Sequence, residues 1–244
     1  MNNIITPGFL LINKPADITS YGCIRHLKRI LKQKIKIGHA GTLDPFATGL
    51  LIVALGREAT RLIDHVMKMK KTYIATGKCG ELTDTLDLTG TVVTTCPHIP
   101  SEDEIKQSVA SFGSSYEQIP PLYSALKHEG ARLYSLARHN GMDIEELQKI
   151  AESKKRVVQL YDVQLVSYES PYFTIKATVS HGTYIRTLVN DIAVRANSCA
   201  TTYKLARTVI GHFEVAQATH LTDIATIDDI NRLIISVENI DFVD

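Results

Sequence analysis

The sequence predicts an α+β fold, and three observations carry that prediction. Apolar Phe173, Ile175, Ala177 and Val179 alternate with polar Thr174, Lys176, Thr178 and Ser180, the pattern of a half-buried strand. Ile24, Leu27, Ile30 and Leu31 recur at helical spacing, with Arg25, Lys28, Arg29 and Lys32 on the opposite side. Strand-like and helix-like segments do not follow one another in regular strand–helix–strand units, which argues against a parallel α/β architecture. At 244 residues the chain can bury a full core, as one large domain or one domain with insertions.

Taken in order, Phe9 to Ile12 reads as a short strand that ends in Asn13-Lys14-Pro15-Ala16-Asp17-Ile18. Thr19 or Ser20 can cap the helix that carries the Ile24 stripe. Its basic face is either a solvated helix surface or a ridge that meets phosphate. The stretch Gly38-His39-Ala40-Gly41-Thr42-Leu43-Asp44-Pro45-Phe46-Ala47-Thr48-Gly49 holds three glycines and a proline, so it must be a shaped loop. Leu50 to Leu55 is an apolar run of buried-strand length, and Ala59, Leu62, Ile63 and Val66 then keep helical spacing up to Lys68-Met69-Lys70-Lys71. Thr72 to Gly77 and Thr91 to Thr95 read as strands. Ser101 with Glu104 forms a capping box for a helix running to about Phe112.

The segment from Ile119 to Lys127 is irregular and leads into a helix with Leu133, Leu136 and Ala137. A charged, helical-looking stretch follows from Ile144 to Lys155, and Arg156 to Tyr168 is strand-rich. The alternating strand at Phe173 delivers His181-Gly182-Thr183-Tyr184-Ile185-Arg186-Thr187. A helix begins at once, its apolar face formed by Ile185, Leu188, Val189, Ile192, Ala193 and Ala196, so Tyr184 and Arg186 fall in its first turn. Thr201 to Val209 is the last strand.

Composition narrows the possibilities. No stretch approaches about 18 apolar residues and the first twelve lack a signal-peptide pattern, so a cytoplasmic protein without a membrane span is expected. Cys23, Cys79, Cys96 and Cys199 are scattered without a Cys-x-x-Cys pair, which predicts reduced thiols rather than a disulfide framework. Cys96-Pro97-His98 has no companion ligands at metal spacing, so no metal site is expected. Net charge is only +1, but residues 221–244 carry six acids against Arg232 and so −5, which leaves +6 on residues 1–220. A nucleic-acid partner would therefore meet the body of the chain and not this acidic segment.

Asp44 is the only acid between Ile18 and Arg57, a stretch with seven Lys and Arg residues. Pro45 biases its backbone toward extended geometry and fixes the next φ. Read alone, Asp-Pro among glycines is either a turn whose carboxylate bonds nearby N–H groups or a reactive group held on a stiff loop.

The loop resembles the signature of the tRNA pseudouridine-55 synthases of the TruB type, Gly-His-x-Gly-[Thr/Ala]-Leu-Asp-Pro-x-Ala-[Thr/Ser]-Gly, at every specified position. Lys14-Pro15 and Thr19-Ser20 are similar to that family's Lys-Pro-x-Gly-x-[Thr/Ser]-Ser, with Asp17 where glycine is usual. Asp tolerates positive φ better than most residues. Lys204-Leu205-Ala206-Arg207-Thr208 stands where the family more often shows Leu-Arg-Arg-Thr, and the charged stretch from Ile144 to Lys155 replaces a shorter connection. The resemblance, from about Phe9 to Phe213, implies the pseudouridine-synthase fold: a large mixed, mostly antiparallel sheet flanked by helices, with a mobile lobe at about residues 119–156 that clamps RNA. Residues 1–213 would be the catalytic domain and 214–244 an acidic segment rather than a full PUA domain.

The resemblance also implies roles. Asp44 would be the nucleophile, Arg186 the cation beside it, and Tyr73 the ring that stacks on the target base and moves the C5 proton. His39 would approach the target nucleotide and help fill the gap left by the extruded base, Tyr184 and Leu205 would line the pocket, Asp87 would be a polar residue near the RNA loop, and Lys14, Arg61 and Lys127 would contact the phosphates. Read alone, an arginine in the first turn of a helix is more often a surface residue, and a lone tyrosine on a strand is more often core packing. The implied activity isomerises uridine 55 in the T arm of tRNA, with no cofactor because the reaction has no net redox change. The implied partner is tRNA alone, met by a monomer with no protein partner. A tRNA-folding chaperone is the alternative. A glycosidase using Asp44 and Asp87 is disfavoured by the absence of tryptophan to stack on sugars.

Overall fold

The computed structural model describes residues 5–124, 127–128, 131–132 and 144–240. The chain opens with β1 (Gly8–Lys14), α1 (Ser20–Leu31), β2 (Ile37–His39) and β3 (Thr48–Leu55). Two short helices, α2 (Gly56–Arg61) and α3 (Ile63–Lys68), lead to β4 (Lys71–Cys79), β5 (Glu81–Thr83), β6 (Val92–Thr95) and α4 (Glu102–Ala110). Then come β7 (Ser115–Gln118), β8 (Lys127–His128), β9 (Ala131–Arg132), α5 (Ile144–Ser153), β10 (Arg156–Glu169), β11 (Tyr172–Val179) and α6 (Ile185–Arg195). The last elements are β12 (Ala200–Ile210), β13 (Phe213–Glu214), β14 (Thr219–His220), α7 (Ile227–Leu233) and β15 (Ile235–Ser236). They fall into two compact units, Met1–Tyr73 with Leu205–Asp244, and Ile74–Lys204, with β4 and β12 contributing to both.

The first unit is built on β1 and β3, paired antiparallel from Gly8↔Leu55 to Lys14↔Gly49. β2 pairs antiparallel with β3, β12 lies parallel to it at Ala206↔Thr48, and β14 and β15 pair with β1. One face packs Leu10, Ile12, Leu51 and Val53 against Cys23, Ile24, Leu27 and Leu31 of α1, and against Leu221, Ile224 and Ile230. The other packs Phe9, Leu11, Leu50 and Ile52 against Ala59, Val66, Met69 and Phe213. Burial on both faces is why β1 and β3 read as unbroken apolar runs and not as alternating strands. Three apolar residues of the acidic segment thus help to close this core.

In the second unit the strands run in the order β4-β11-β10-β7, with β10 antiparallel to both neighbours. Helices α4 and α6 are tied by Ser108 Oγ, which donates to the Ile192 carbonyl at 2.6 Å. Gly77 on β4 must be glycine, because a Cβ there would stand 2.6 Å from the Phe173 ring and 2.7 Å from Val189. The α+β class and the mostly antiparallel pairing are as expected.

Local signals explain much of this. Thr19 caps α1, its side chain accepting from the Gly22 N–H at 2.8 Å, and the Ser101–Glu104 capping box opens α4. Three expectations are corrected. The single helix expected through Ala59 and Val66 is two helices broken at Leu62 (φ −96, ψ 0), and α4 stops at Ala110 instead of Phe112. Cys96 and Cys199 are not reduced thiols but a disulfide, 103 residues apart in sequence with Cα atoms 5.9 Å apart. Gly80 brings them together: its carbonyl accepts from the Cys96 N–H and its N–H donates to the Cys199 carbonyl, each at 2.9 Å. Close sequence spacing is the wrong signal for such a pair. The helix expected at Leu133, Leu136 and Ala137, and with it much of the expected lobe, lies outside the described residues.

Candidate active site

In the first unit the site is built on the loop between β2 and β3. Gly41 and Gly49 take positive φ (96° and 100°). A Cβ on Gly49 would lie 2.3 Å from the Arg207 carbonyl, so the close approach of β3 and β12 demands glycine. Between them, Asp44 is half-buried and its carbonyl accepts from the Ala47 N–H at 3.1 Å, closing a turn over Pro45 and Phe46.

Three buried side chains pin this loop on both sides of Asp44. Ser20, at the start of α1, accepts from the Leu43 N–H at 2.9 Å and donates to the Leu43 carbonyl at 3.1 Å. Arg207, 1% exposed, donates from Nε to the Leu50 carbonyl (2.8 Å) and from Nη2 to that of Gly41 (3.0 Å). Lys14 donates from Nζ to the carbonyls of Pro15 and Ile18, both at 2.8 Å, and of Pro45 at 3.1 Å. The Pro45 carbonyl also accepts from the Asp17 N–H at 2.8 Å, and Asp17 sits at φ 63, the positive angle for which glycine is usual there.

Lys14 is therefore corrected. It is 0% exposed and all three ammonium hydrogens are taken by main-chain carbonyls, so it holds the loop and does not meet phosphate. Burial pushes its ammonium down to about 8, opposed by the negative charges of Asp44 and Asp17. Its charge in turn favours the ionised form of Asp44. Tyr73 and Leu205 are buried in this unit, His39 is half-buried at the end of β2, and Arg61 is exposed at the end of α2. Lys28, Lys32, Gln33, Lys34, Ile35 and Lys36 line a concavity of about 610 Å³ at the end of α1.

In the second unit Arg186 is not a surface arginine but 4% exposed, in the first turn of α6. Nη1 donates to the Thr85 carbonyl at 2.5 Å and to Asp87 Oδ2 at 3.3 Å, and Nη2 to the Tyr123 carbonyl at 2.9 Å. Asp87, also 4% exposed, accepts on Oδ1 from Thr85 Oγ1 (2.9 Å) and from the N–H and hydroxyl of Thr89 (2.9 and 2.6 Å). A planar guanidinium held at this many points has one orientation, which a lysine could not reproduce. Tyr184 is half-buried at the N-cap of α6, with the Arg156 guanidinium 5.0 Å from its ring centroid. The side chain of Lys127 lies outside the described residues.

Arg207, Ser20, Gln118 and Arg156 escaped sequence reasoning. Only Arg207 left a signal, its place in Lys204-Leu205-Ala206-Arg207-Thr208, where the family more often shows Leu-Arg-Arg-Thr. Among the described residues, no group of three or more His, Cys, Asp and Glu side chains could hold a metal ion.

The fold has counterparts among solved structures. The chain superposes on the Cbf5-Nop10-Gar1 complex with a TM-score of 0.66 at 27% identity, over 89% of this chain and 53% of that one. It does so on the archaeal box H/ACA sRNP Nop10-Cbf5 complex with a TM-score of 0.65 at 23% identity, over 94% and 58%. The chain thus spans little more than half of those solved chains. Residues 28–185 match the TruB family pseudouridylate synthase, N terminal domain, and the chain belongs to that family. It is 42% identical to the tRNA pseudouridine synthase B of Clostridium kluyveri over 211 residues, 86% of this chain and 70% of the relative. To that of Protochlamydia amoebophila it is 37% identical over 228 residues, 93% and 83% respectively.

Proposed function

We propose that this chain isomerises uridine 55 in the T loop of tRNA to pseudouridine, with Asp44 as the nucleophile. The observation that carries the assignment is the Asp44 loop itself: a family member's signature whose backbone is held at Gly41, Leu43, Pro45 and Leu50 by buried Arg207, Ser20 and Lys14. A turn that served only to reverse the chain would not need three buried polar side chains.

The reaction breaks the bond from ribose C1′ to uracil N1, turns the base and rejoins it through C5. Asp44 acts on C1′ or C6, or removes the C2′ proton, and each route needs it ionised, the state that Lys14 favours. Tyr73 is assigned to stack on the base and move the C5 proton, and Arg186 to act as the catalytic cation. Extruding the uridine costs a few kcal/mol of stacking and pairing. Contacts to loop shape and phosphate recover that cost, and the exposed lysines at the end of α1 are the candidate docking face. The reading needs no cofactor or protein partner and takes the chain as a cytoplasmic monomer, residues 1–213 forming the catalytic domain. Incubation with an unmodified tRNA transcript, followed by chemical mapping of pseudouridine, tests it. One modified position in the T loop is the expected result, and an unmodified transcript overturns it.

A further inference from the structure

Tyr184 opens α6 without a side chain able to cap it, although the residues that follow include Arg186. An N-cap is usually supplied by Ser, Thr, Asp or Asn, and here the bonds come from elsewhere. Gln118, at the end of β7 and 0% exposed, accepts the Tyr184 N–H on Oε1 at 2.7 Å and donates from Nε2 to the Tyr184 carbonyl at 3.0 Å. That carbonyl also accepts the first helical bond, from the Leu188 N–H at 3.1 Å. The second Nε2 hydrogen goes to the Tyr116 hydroxyl at 2.5 Å.

These donors form a directed chain. The Tyr116 hydroxyl bonds to Asp191, whose carboxyl burial raises to about 6, with Tyr116 and Arg195 opposing the rise. At pH 7.5 that carboxylate is ionised and can only accept, so Tyr116 must donate to it, leaving its oxygen to accept from Gln118. The amide is then fixed with nitrogen toward Tyr116 and oxygen toward the Tyr184 N–H. Phe112 meets the Tyr116 ring edge-on at 5.0 Å, and the Arg195 guanidinium covers Phe112 at 3.5 Å. The anchor is thus packed as well as bonded.

We propose that Gln118 is a positioning residue for the reaction, an amide clamp that sets where α6 begins and thereby where Tyr184 and Arg186 stand. The inference rests on the proposed function, since it is that reading which gives Tyr184 and Arg186 their roles. Gln118 touches no reacting atom. Its effect is on geometry, where a displacement near 1 Å far from the chemistry can cost about 100-fold in rate.

The test compares Gln118→Leu, Gln118→Glu, Asp44→Asn and Arg186→Lys with the wild-type chain. It measures single-turnover pseudouridine formation at saturating tRNA transcript, tRNA affinity and thermal midpoint. Gln118→Leu should slow the single turnover about 10- to 100-fold and leave affinity within about threefold. Gln118→Glu keeps the acceptor for the Tyr184 N–H but, when ionised, has no donor for the Tyr184 carbonyl. Its rate should be low at pH 8.5 and recover toward wild type as pH falls to 6.5 and the new carboxyl gains a proton, a recovery wild type does not show. Rates within twofold of wild type for both Gln118 variants overturn the proposal. So does a loss that follows the thermal midpoint while Gln118→Glu shows no recovery, for the role is then structural only. Slow Asp44→Asn and Arg186→Lys with a normal Gln118→Leu refute the clamp alone. Normal turnover by Asp44→Asn or Arg186→Lys refutes the underlying reading.

Discussion

Replacing Lys14 by methionine tests whether a buried ammonium organises the Asp44 loop. Methionine matches the lysine stem in length and keeps its packing, but withdraws three donors at once from the carbonyls of Pro15, Ile18 and Pro45. A hydrogen bond to a charged group contributes about 1.5–3 kcal/mol, and burying the ammonium takes back about 3 kcal/mol, the worth of a pKa lowered from 10.5 to about 8. The net loss on substitution should be on the order of 3 kcal/mol at pH 7, measured by urea unfolding. The folded chain releases the Lys14 proton near pH 8 and the unfolded chain holds it to 10.5, so the folded pKa is the lower one. The cost of the buried charge is in full force below pH 8 and is relieved as pH rises above it. The stability gap between wild type and Lys14→Met should therefore widen by about 2 kcal/mol between pH 7 and pH 10. Single-turnover pseudouridine formation should fall by about 10- to 100-fold, because Pro45 adjoins Asp44, the proposed nucleophile. A gap under about 0.5 kcal/mol that does not change with pH, or an unchanged rate, would refute the reasoning.

Three further outcomes follow from the same geometry. Arg186→Lys keeps the charge but cannot bond Thr85, Asp87 and Tyr123 together, so the turnover rate should fall at least tenfold by the measure of a misplaced catalytic group; near-normal turnover would remove Arg186 from the mechanism. Replacing Lys28, Arg29 and Lys32 together should flatten the slope of log affinity against log salt by about two to three units, with little effect on single-turnover rate at saturation. An unchanged slope means this ridge faces solvent. A dithiol reductant should lower the stability of the unit holding Cys96 and Cys199 by up to about 5 kcal/mol, the value for closing a loop of this size, and a thermal melt that ignores the reductant rejects the bridge.

What could be read from the sequence was local. The cap at Thr19, the Ser101–Glu104 box, the alternation through Phe173 to Val179 and the glycines of the Asp44 loop each declare themselves within a few residues. What could not be read depends on partners far along the chain. Lys14 looks like any lysine at the end of a strand until Pro45 folds over it, 31 residues away. Gln118 meets Tyr184 across 66 residues, and Arg207 meets Gly41 across 166. The elements β13, β14 and β15 are too short to show a period, and their pairing with β12 and β1 depends on register alone. Asp44 was found by resemblance, since Asp-Pro between glycines is equally the chemistry of a turn.

The most direct test of the account is Asp44→Asn on an unmodified tRNA transcript, with pseudouridine mapped chemically and tRNA affinity measured on the same preparation. Asparagine keeps the size and hydrogen-bonding capacity of the side chain and leaves the bonds of Lys14, Ser20 and Arg207 to the loop backbone untouched, but it removes the carboxylate proposed as the nucleophile. The account predicts no pseudouridine at position 55 and tRNA binding within a few-fold of wild type. Detectable turnover by the purified variant would contradict it.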